Sequence, residues 1–371
     1  MKRIMGIINL SESTENIKEL TLNRSIGALP FAGRYRLIDF ALSNMVNSRI
    51  DNVAIVTQGK TRSLMDHLGS GKPWDLNRNR DGLFVFHPDV SSQDIVQRKG
   101  DIEIFKDNLD YLYRSTQEYV AMSRSYMIAS VDYEKVLKYH EECNADMTII
   151  YANVLNSSDF MNCDTVMVNN NHEILSIGKN LSKDESIDIS MEMYLMKREL
   201  LITIIEDAIQ SGDGDHLKQC IFNRLPQMKV YGYRHYGYVA CINSLTNYYK
   251  NGLDMLHNDI YSELFRGERL VYTKVKNEPP AKYTPTAVVK NSLIGNGSII
   301  KGTVINSVIA RGVVVEEGAV IKNSIVLQHA TISETSNLEF MIIDKNVRIS
   351  GKKRLSGDIN HPYVVKKNAV L

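Results

Sequence analysis

A chain of 371 residues with 43% hydrophobic and 23% charged side chains is long enough for two domains, each with its own core. Its net charge of +1 supplies no basic excess for nucleic acid or anionic lipid, and no apolar run approaches the ~20 residues of a membrane span. Cys143, Cys163, Cys220 and Cys241 have neither CxxC spacing nor a histidine at ligand spacing, so they read as reduced thiols of a cytoplasmic protein. The apolar run after Lys2 and Arg3 is broken at Asn9 and Ser11, too early for a secretory signal.

Taken in chain order, the first 250 residues alternate between two patterns. Short runs rich in Ile, Val and Tyr predict strands over Ile4–Asn9, Val53–Gln58, Leu83–Phe86, Tyr119–Ser123, Met147–Val154 and Thr165–Asn169. Helical patterns lie over Asp39–Ser48, Thr61–Leu68, Asp101–Arg114 and Asp132–Glu142. This alternation predicts an α/β domain with a mostly parallel sheet covered on both faces. Such sheets bind ligands beyond the carboxyl ends of their strands, and Ser11 to Asn16 follows the first strand there. That loop has no glycine, no Lys or Arg, and two acids, Glu12 and Glu15.

A long helix is predicted over Asn243–Arg266, then a linker where Pro279, Pro280 and Pro285 cluster. From residue 286 the pattern changes. Ile309, Val315 and Ile321 are six apart, as are Val326, Ile332 and Leu338, and Asn-Ser recurs at 291–292, 306–307 and 323–324. Six-residue steps grouped into coils of about 15–17 residues predict a β-solenoid of about 65 residues, or four coils. One end or side of it is expected to pack on the α/β domain or on another subunit.

The strings are similar to those of the bacterial glucose-1-phosphate adenylyltransferases (ADP-glucose pyrophosphorylases). PFAGRYRLIDFALSN, Pro30 to Asn44, resembles that family's PFGGKYRIIDFPLSN, and HLGSGKPWDLNRN, His67 to Asn79, resembles its HIGxGxPWDLDRN. VDYEKVLKYH, Val131 to His140, resembles the stretch after its metal-binding aspartate, and the solenoid is similar along its length. The resemblance covers essentially the whole chain. It implies a Rossmann-like nucleotidyltransferase domain over 1–242, a helix and linker over 243–285, and a left-handed β-helix over 286–371.

The resemblance also locates the chemistry. The family's first loop, GGxGxRL, presents amides and an arginine to a triphosphate. In this register the arginine position holds Asn16, and a nearby family lysine falls on Ile26. The two aspartates that hold Mg²⁺ in the family fall on Tyr126 and Cys241, neither a credible ligand for a hard cation. Nucleotidyl transfer depends on metal and cationic charge, so no catalytic residue and no metal are expected. Lys179 falls on the lysine that contacts the sugar phosphate, and Gln58, Gly71 and Trp74 on adenine-side positions, a vestigial substrate surface. Arg24 and Arg36 fall on arginines that bind effector phosphates.

This resembles the family's paired arrangement, in which a degenerate sibling regulates a catalytic chain making ADP-glucose for glycogen. The expected partner is that catalytic subunit, in a heterotetramer answering to a sugar-phosphate or nucleotide effector, with no nucleic acid and no membrane. A weakly active transferase and a sugar-phosphate-sensing protein are the alternatives, kept open by Gln58, Trp74 and Lys179. Plainer readings stand beside these. Lys179 reads more readily as a solvated loop lysine, Trp74 as half core and half pocket rim, Cys241 as a packing residue and Tyr126 as a filler of vacated space. His329 is set aside as an acyltransferase histidine, because those enzymes use longer solenoids.

Overall fold

The computed structural model describes residues 3–88, 100–181, 186–212 and 214–371. They form two units that do not follow chain order: the first holds the start of the chain to Glu12 and Phe40–Val239, the second Ser13–Asp39 and Ala240–Leu371. This differs from the contiguous domains expected. The first loop is divided, with Ser11 and Glu12 in one unit and Ser13 to Asn16 in the other.

The first unit is built on a nine-stranded sheet: β1 Ile4–Leu10, β2 Asn52–Thr57, β3 Gly82–Phe86, β4 Tyr119–Ser123, β5 Met147–Val154, β6 Asp164–Val168, β7 Ile174–Lys179, β8 Ile187–Lys197 and β9 Val230–His235. The order runs β7-β6-β8-β4-β1-β2-β3, with β5 pairing β8 and β9. The β4-β1-β2-β3 block is parallel, and β8 enters antiparallel to β4 and β5. Every residue of β1 is buried, as a central parallel strand requires. A Cβ on its Gly6 would lie 2.4 Å from Met45 Sδ, so glycine lets the helix Leu37–Asn47 approach.

Six strands were expected here; β7, β8 and β9 are additional, as are the helices Arg198–Ser211 and Leu217–Arg224. The helix expected over Asp101–Arg114 is two, Ile102–Asp107 and Leu109–Arg114, broken where Asn108 leaves helical φ and its amide donates back to Lys106 and Phe105 carbonyls. The core joins the inner face of the sheet to Ile102, Phe105, Leu201, Ile205 and Ile221 of these helices.

In the second unit the solenoid has five coils, one more than the sequence suggested. Three parallel five-stranded sheets run from Lys282–Tyr283 to Tyr363–Val365. Ile300, Val315, Ile332 and Ile349 stack in register, and the six-spaced Ile309, Val315, Ile321, Val326, Ile332 and Leu338 all point into the axis at 0% exposure. The three recurring Asn-Ser pairs form the same corner in successive coils. Asn291, Asn306 and Asn323 take φ of 42°, 46° and 45°, which asparagine tolerates better than most residues. Each following serine accepts from the next coil: Ser307 N donates to Ser292 Oγ, Ser324 N to Ser307 Oγ and Met341 N to Ser324 Oγ, all at 3.1 Å.

The helix expected over Asn243–Arg266 divides into Leu245–Asp254, capped by Ser244 Oγ, and Asn258–Phe265. The first lies on the solenoid, its Tyr249 hydroxyl donating to Asn323 O at 2.5 Å. Pro30 to Arg36 packs there too. Tyr248 Oη donates to Pro30 O at 2.5 Å, and Gly33, at φ 70°, sits so close that an added Cβ would lie 3.3 Å from Ile309 O.

Candidate functional site

Within the first unit, the carboxyl ends of β1 and β4 meet a bulge in β8, and polar groups converge there. Asn9, at 3% exposure, and Ser11 leave β1; Arg124, Ser125 and Tyr126 leave β4; Glu192 sits in the bulge between Ser190 and Met193. Lys218 comes from the first turn of the helix Leu217–Arg224.

These groups satisfy one another. Arg124 Nε donates to Glu192 Oε2 at 3.2 Å, and its Nη1 donates to Asn9 O at 3.2 Å and Ser11 Oγ at 2.6 Å. Tyr126 Oη donates to Glu192 Oε1 at 2.7 Å, and Lys218 Nζ reaches the same oxygen at 2.5 Å. Lys218 also pairs with Asp164, whose other oxygen takes Lys179 Nζ at 2.5 Å. Asp101, fully buried, accepts from Asn9 Nδ2 at 2.5 Å, Ser11 Oγ at 2.7 Å and Leu217 N at 2.7 Å. The cleft among Asn9, Arg124, Glu192, Tyr194 and Lys218 has about 10 Å³ left, room for roughly one water.

Burial alone would raise the Glu192 carboxyl, but Arg124 and Lys218 outweigh it and hold its pKa at about 2. Glu12, half-buried, behaves oppositely. Burial raises its pKa even though Arg124 and the Ser125 amide and hydroxyl, both at 3.0 Å from Oε1, favour the charged form. So the acid of the first loop takes up the Ser125 donors.

The sequence-derived positions separate between the units. In the first, Tyr126 lies in the network. Lys179 ends β7, so it is a strand residue and not a loop one, and it pairs with Asp164 across the strand register with its side chain still 52% exposed. Gln58 is exposed just after β2. Gly71 takes φ 79° in a turn closed against Leu76 and Leu83. Trp74 is 2% exposed with its ring edge-on to His67 at 5.7 Å, so it is core and offers no pocket rim.

In the second unit, Asn16 is exposed in the turn Glu15–Ile17, and Ile26 and Cys241 are buried packing residues. Arg24, 4% exposed in its side chain, pairs through Nη2 with Asp344 at 2.5 Å, and its Nη1 has no hydrogen-bond partner among the described residues. Lys345 follows Asp344. Burial, with Arg36 and Arg24 beside it, lowers its pKa to about 7 from 10.5. The unfolded chain therefore binds a proton that the folded chain lacks between about pH 7 and 10.5, so this lysine makes stability rise with pH across that window. Lys345→Met should remove up to one proton's worth of that slope, read as urea midpoints at pH 7 and 10 for both proteins.

The register strings pointed to Tyr126, Lys179 and Arg24, but Glu192, Arg124, Lys218 and Asp164 were not singled out. The one available signal was a glutamate interrupting the apolar run from Ile187 to Met196.

Comparison with known proteins agrees with this architecture. A nucleotidyl transferase family model matches residues 13–225, and a GlmU-like C-terminal hexapeptide model matches 279–362. The chain is 35% identical over 368 residues to a glycogen biosynthesis protein GlgD of Bacillus subtilis, covering 99% of this chain and 97% of that one. It is 38% identical over 344 residues to GlgD of Geobacillus stearothermophilus, covering 86% and 83%. A glucose-1-phosphate adenylyltransferase of Acetivibrio thermocellus is 29% identical over 370 residues, covering 98% and 86%. With its sheet, its solenoid and these matches along nearly its full length, the chain belongs to the nucleotidyl transferase family, in the group of the GlgD proteins and glucose-1-phosphate adenylyltransferases.

Proposed function

We propose that this chain is a catalytically degenerate subunit that regulates a glucose-1-phosphate adenylyltransferase in glycogen synthesis. The observation that carries the reading is the closed network of Arg124, Glu192, Lys218 and Tyr126 at the strand ends. A transferase needs charges there that are free to meet phosphates as they develop negative charge. Here each cation already has a carboxylate, and the space beside them holds about one water.

A divalent cation does not fit this arrangement. Magnesium requires octahedral oxygen ligands and takes carboxylates readily. Both oxygens of Glu192 are held by Arg124, Lys218 and Tyr126, and those of Asp101 by Asn9, Ser11 and an amide. Two cations, Arg124 and Lys218, stand against any metal added between them. In the second unit the candidate position for a sugar-phosphate or nucleotide effector lies at Arg24, Arg36 and Lys345, where Arg24 is buried against Asp344. The names of the GlgD relatives support the link to glycogen.

The reading predicts a mixed complex, a heterotetramer, with the catalytic chain of the same cell. Regulation across that interface is a coupling free energy, typically about 1–3 kcal/mol, or a change of about 5–150-fold in an apparent constant. Co-expression with the catalytic chain should give one co-eluting species whose maximal rate or effector response differs from that of the catalytic chain alone. The isolated chain, given ATP, glucose 1-phosphate and Mg²⁺, should release pyrophosphate no faster than a mock preparation. Separate elution with unchanged kinetics, or turnover by the isolated chain, would show the reading to be wrong.

A further inference from the structure

Glu192 has two features that sit poorly together unless its carboxylate has a purpose. Its φ is 51°, in the left-handed region that favours glycine, and it stands inside a strand at a bulge. It is also 5% exposed, a position where carboxylates are found only with partners. Its partners are two cations and a hydroxyl, arranged as donors around an oxyanion: Arg124 Nε on one oxygen, Lys218 Nζ and Tyr126 Oη on the other. The neighbouring acids serve elsewhere. Asp101 holds β1 to the Leu217 amide, Glu12 holds Ser125, and Asp164 ties Lys218 to Lys179. Among the described residues, Glu192 is the carboxylate that bridges Arg124 and Lys218.

We propose that Glu192 is a resident internal ligand: it fills an oxyanion subsite framed by Arg124, Lys218 and Tyr126, and so excludes phosphate monoesters from the first unit. Backbone strain at this residue is the cost of placing a carboxylate where a free anion would otherwise sit. Removing the side chain leaves the three donors in place, lifts the strain and adds the carboxylate's volume to the small cleft beside it. The choice of phosphate monoesters as the excluded class rests on the proposed function, whereas the occupied subsite stands on the geometry alone.

The test is calorimetric titration of the full chain with inorganic phosphate and with glucose 1-phosphate. The proteins are wild type, Glu192→Gly and Glu192→Asn, the last because asparagine tolerates the left-handed backbone. Wild type should show no binding that depends on Lys218. Both variants should bind inorganic phosphate at least tenfold more tightly than wild type, and a second change, Lys218→Ala, should abolish the gain. Binding that survives Lys218→Ala belongs to the second unit and does not count. Lys218-dependent phosphate binding by wild type would overturn the proposal, as would folded variants that bind no better than wild type. Loss of fold in both variants would overturn it too, because a ligand can be removed and an indispensable structural pair cannot. Absence of a mixed complex with a catalytic chain leaves these titrations unaffected, and their failure leaves the regulatory reading standing.

Discussion

Replacing Arg124 by methionine should destabilise the first unit by about 3–5 kcal/mol, the usual cost of breaking one side of a buried ion pair. The arginine is 10% exposed in its side chain and Glu192 6%, so water cannot replace the lost partner. Three hydrogen bonds go at once, to Glu192, Asn9 and Ser11. Lys218 and Tyr126 still hold one oxygen of Glu192, which keeps the loss towards the lower end of that range. For a unit of this size, thermal midpoints move about 2–4 °C per kcal/mol, so a drop on the order of 10 °C is expected. Glu192→Gln in the same background supplies the control. If the loss comes from a stranded carboxylate, the double variant should cost clearly less than the sum of the singles. Additive losses, or an Arg124→Met midpoint within about 2 °C of wild type, would mean the pair is as weak as an exposed one. The acid limb gives a second check. The pKa of Glu192 is held at about 2 against an ordinary 4.5, so the stability it contributes is present above about pH 4.5 and lost as the pH falls towards 2. Arg124→Met should flatten that limb.

The parts of the fold that could be read from sequence were those whose signal is local. β1, β2, β4 and β5 are short, mainly apolar runs, the pattern expected of strands buried on both faces. The solenoid was legible because its core positions repeat and because an asparagine with positive φ followed by a ladder serine is a chemical signature as well as a period. β8 was hidden because Glu192 interrupts its apolar run at a bulge, where its φ is 51°. The helix Arg198–Ser211 carries Leu201, Ile204, Ile205 and Ala208 at helical spacing, so it was legible in principle.

The site was legible only in part. By the family register Tyr126 stands where a carboxylate is expected, and its hydroxyl donates to Glu192. The network around it could not be seen, because Arg124 and Glu192 are 68 residues apart and nothing local marks either as the other's partner. Division of the first loop between two units is equally invisible, since Glu12 and Ser13 are adjacent in sequence and separate only in what they touch. Trp74 was placed on the adenine side by the family register, with half core and half rim as the plainer reading; the turn at Gly71 folds Leu76 and Leu83 close by, and the ring is buried against His67.

In the second unit, Asp344→Ala should cost more than Arg24→Ala, although the two residues form one pair. Both are buried, at 1% and 4% side-chain exposure, so either change strands a charge and about 3–5 kcal/mol is the expected scale. What surrounds each stranded charge differs. Arg24→Ala leaves Asp344 with its backbone donor, the Lys345 amide at 2.7 Å, and with Lys345 itself, whose charge is now disfavoured by burial and by Arg36 and Arg24. Removing one of those arginines raises the lysine's pKa, so Lys345 takes a proton at neutral pH and supplies the missing cation. Asp344→Ala has no such rescue. It removes the carboxylate paired with Arg24, leaves Lys345 with Arg24 and Arg36 beside it, and Arg24 Nη1 has no hydrogen-bond partner among the described residues. The two variants should therefore part in their response to solutes. Inorganic phosphate should restore part of the Asp344→Ala loss, by RT ln(1 + [L]/Kd), which is about 2.7 kcal/mol at a hundred times the dissociation constant. The same phosphate should do less for Arg24→Ala, which has lost one of the cations that would hold it. Thermal midpoints in phosphate and in chloride at matched ionic strength decide the matter, the matching being needed because screening alone would ease the repulsion among cations. Equal losses and equal responses in the two variants would mean that Arg36 and Lys345 lie outside the reach of the Arg24–Asp344 pair.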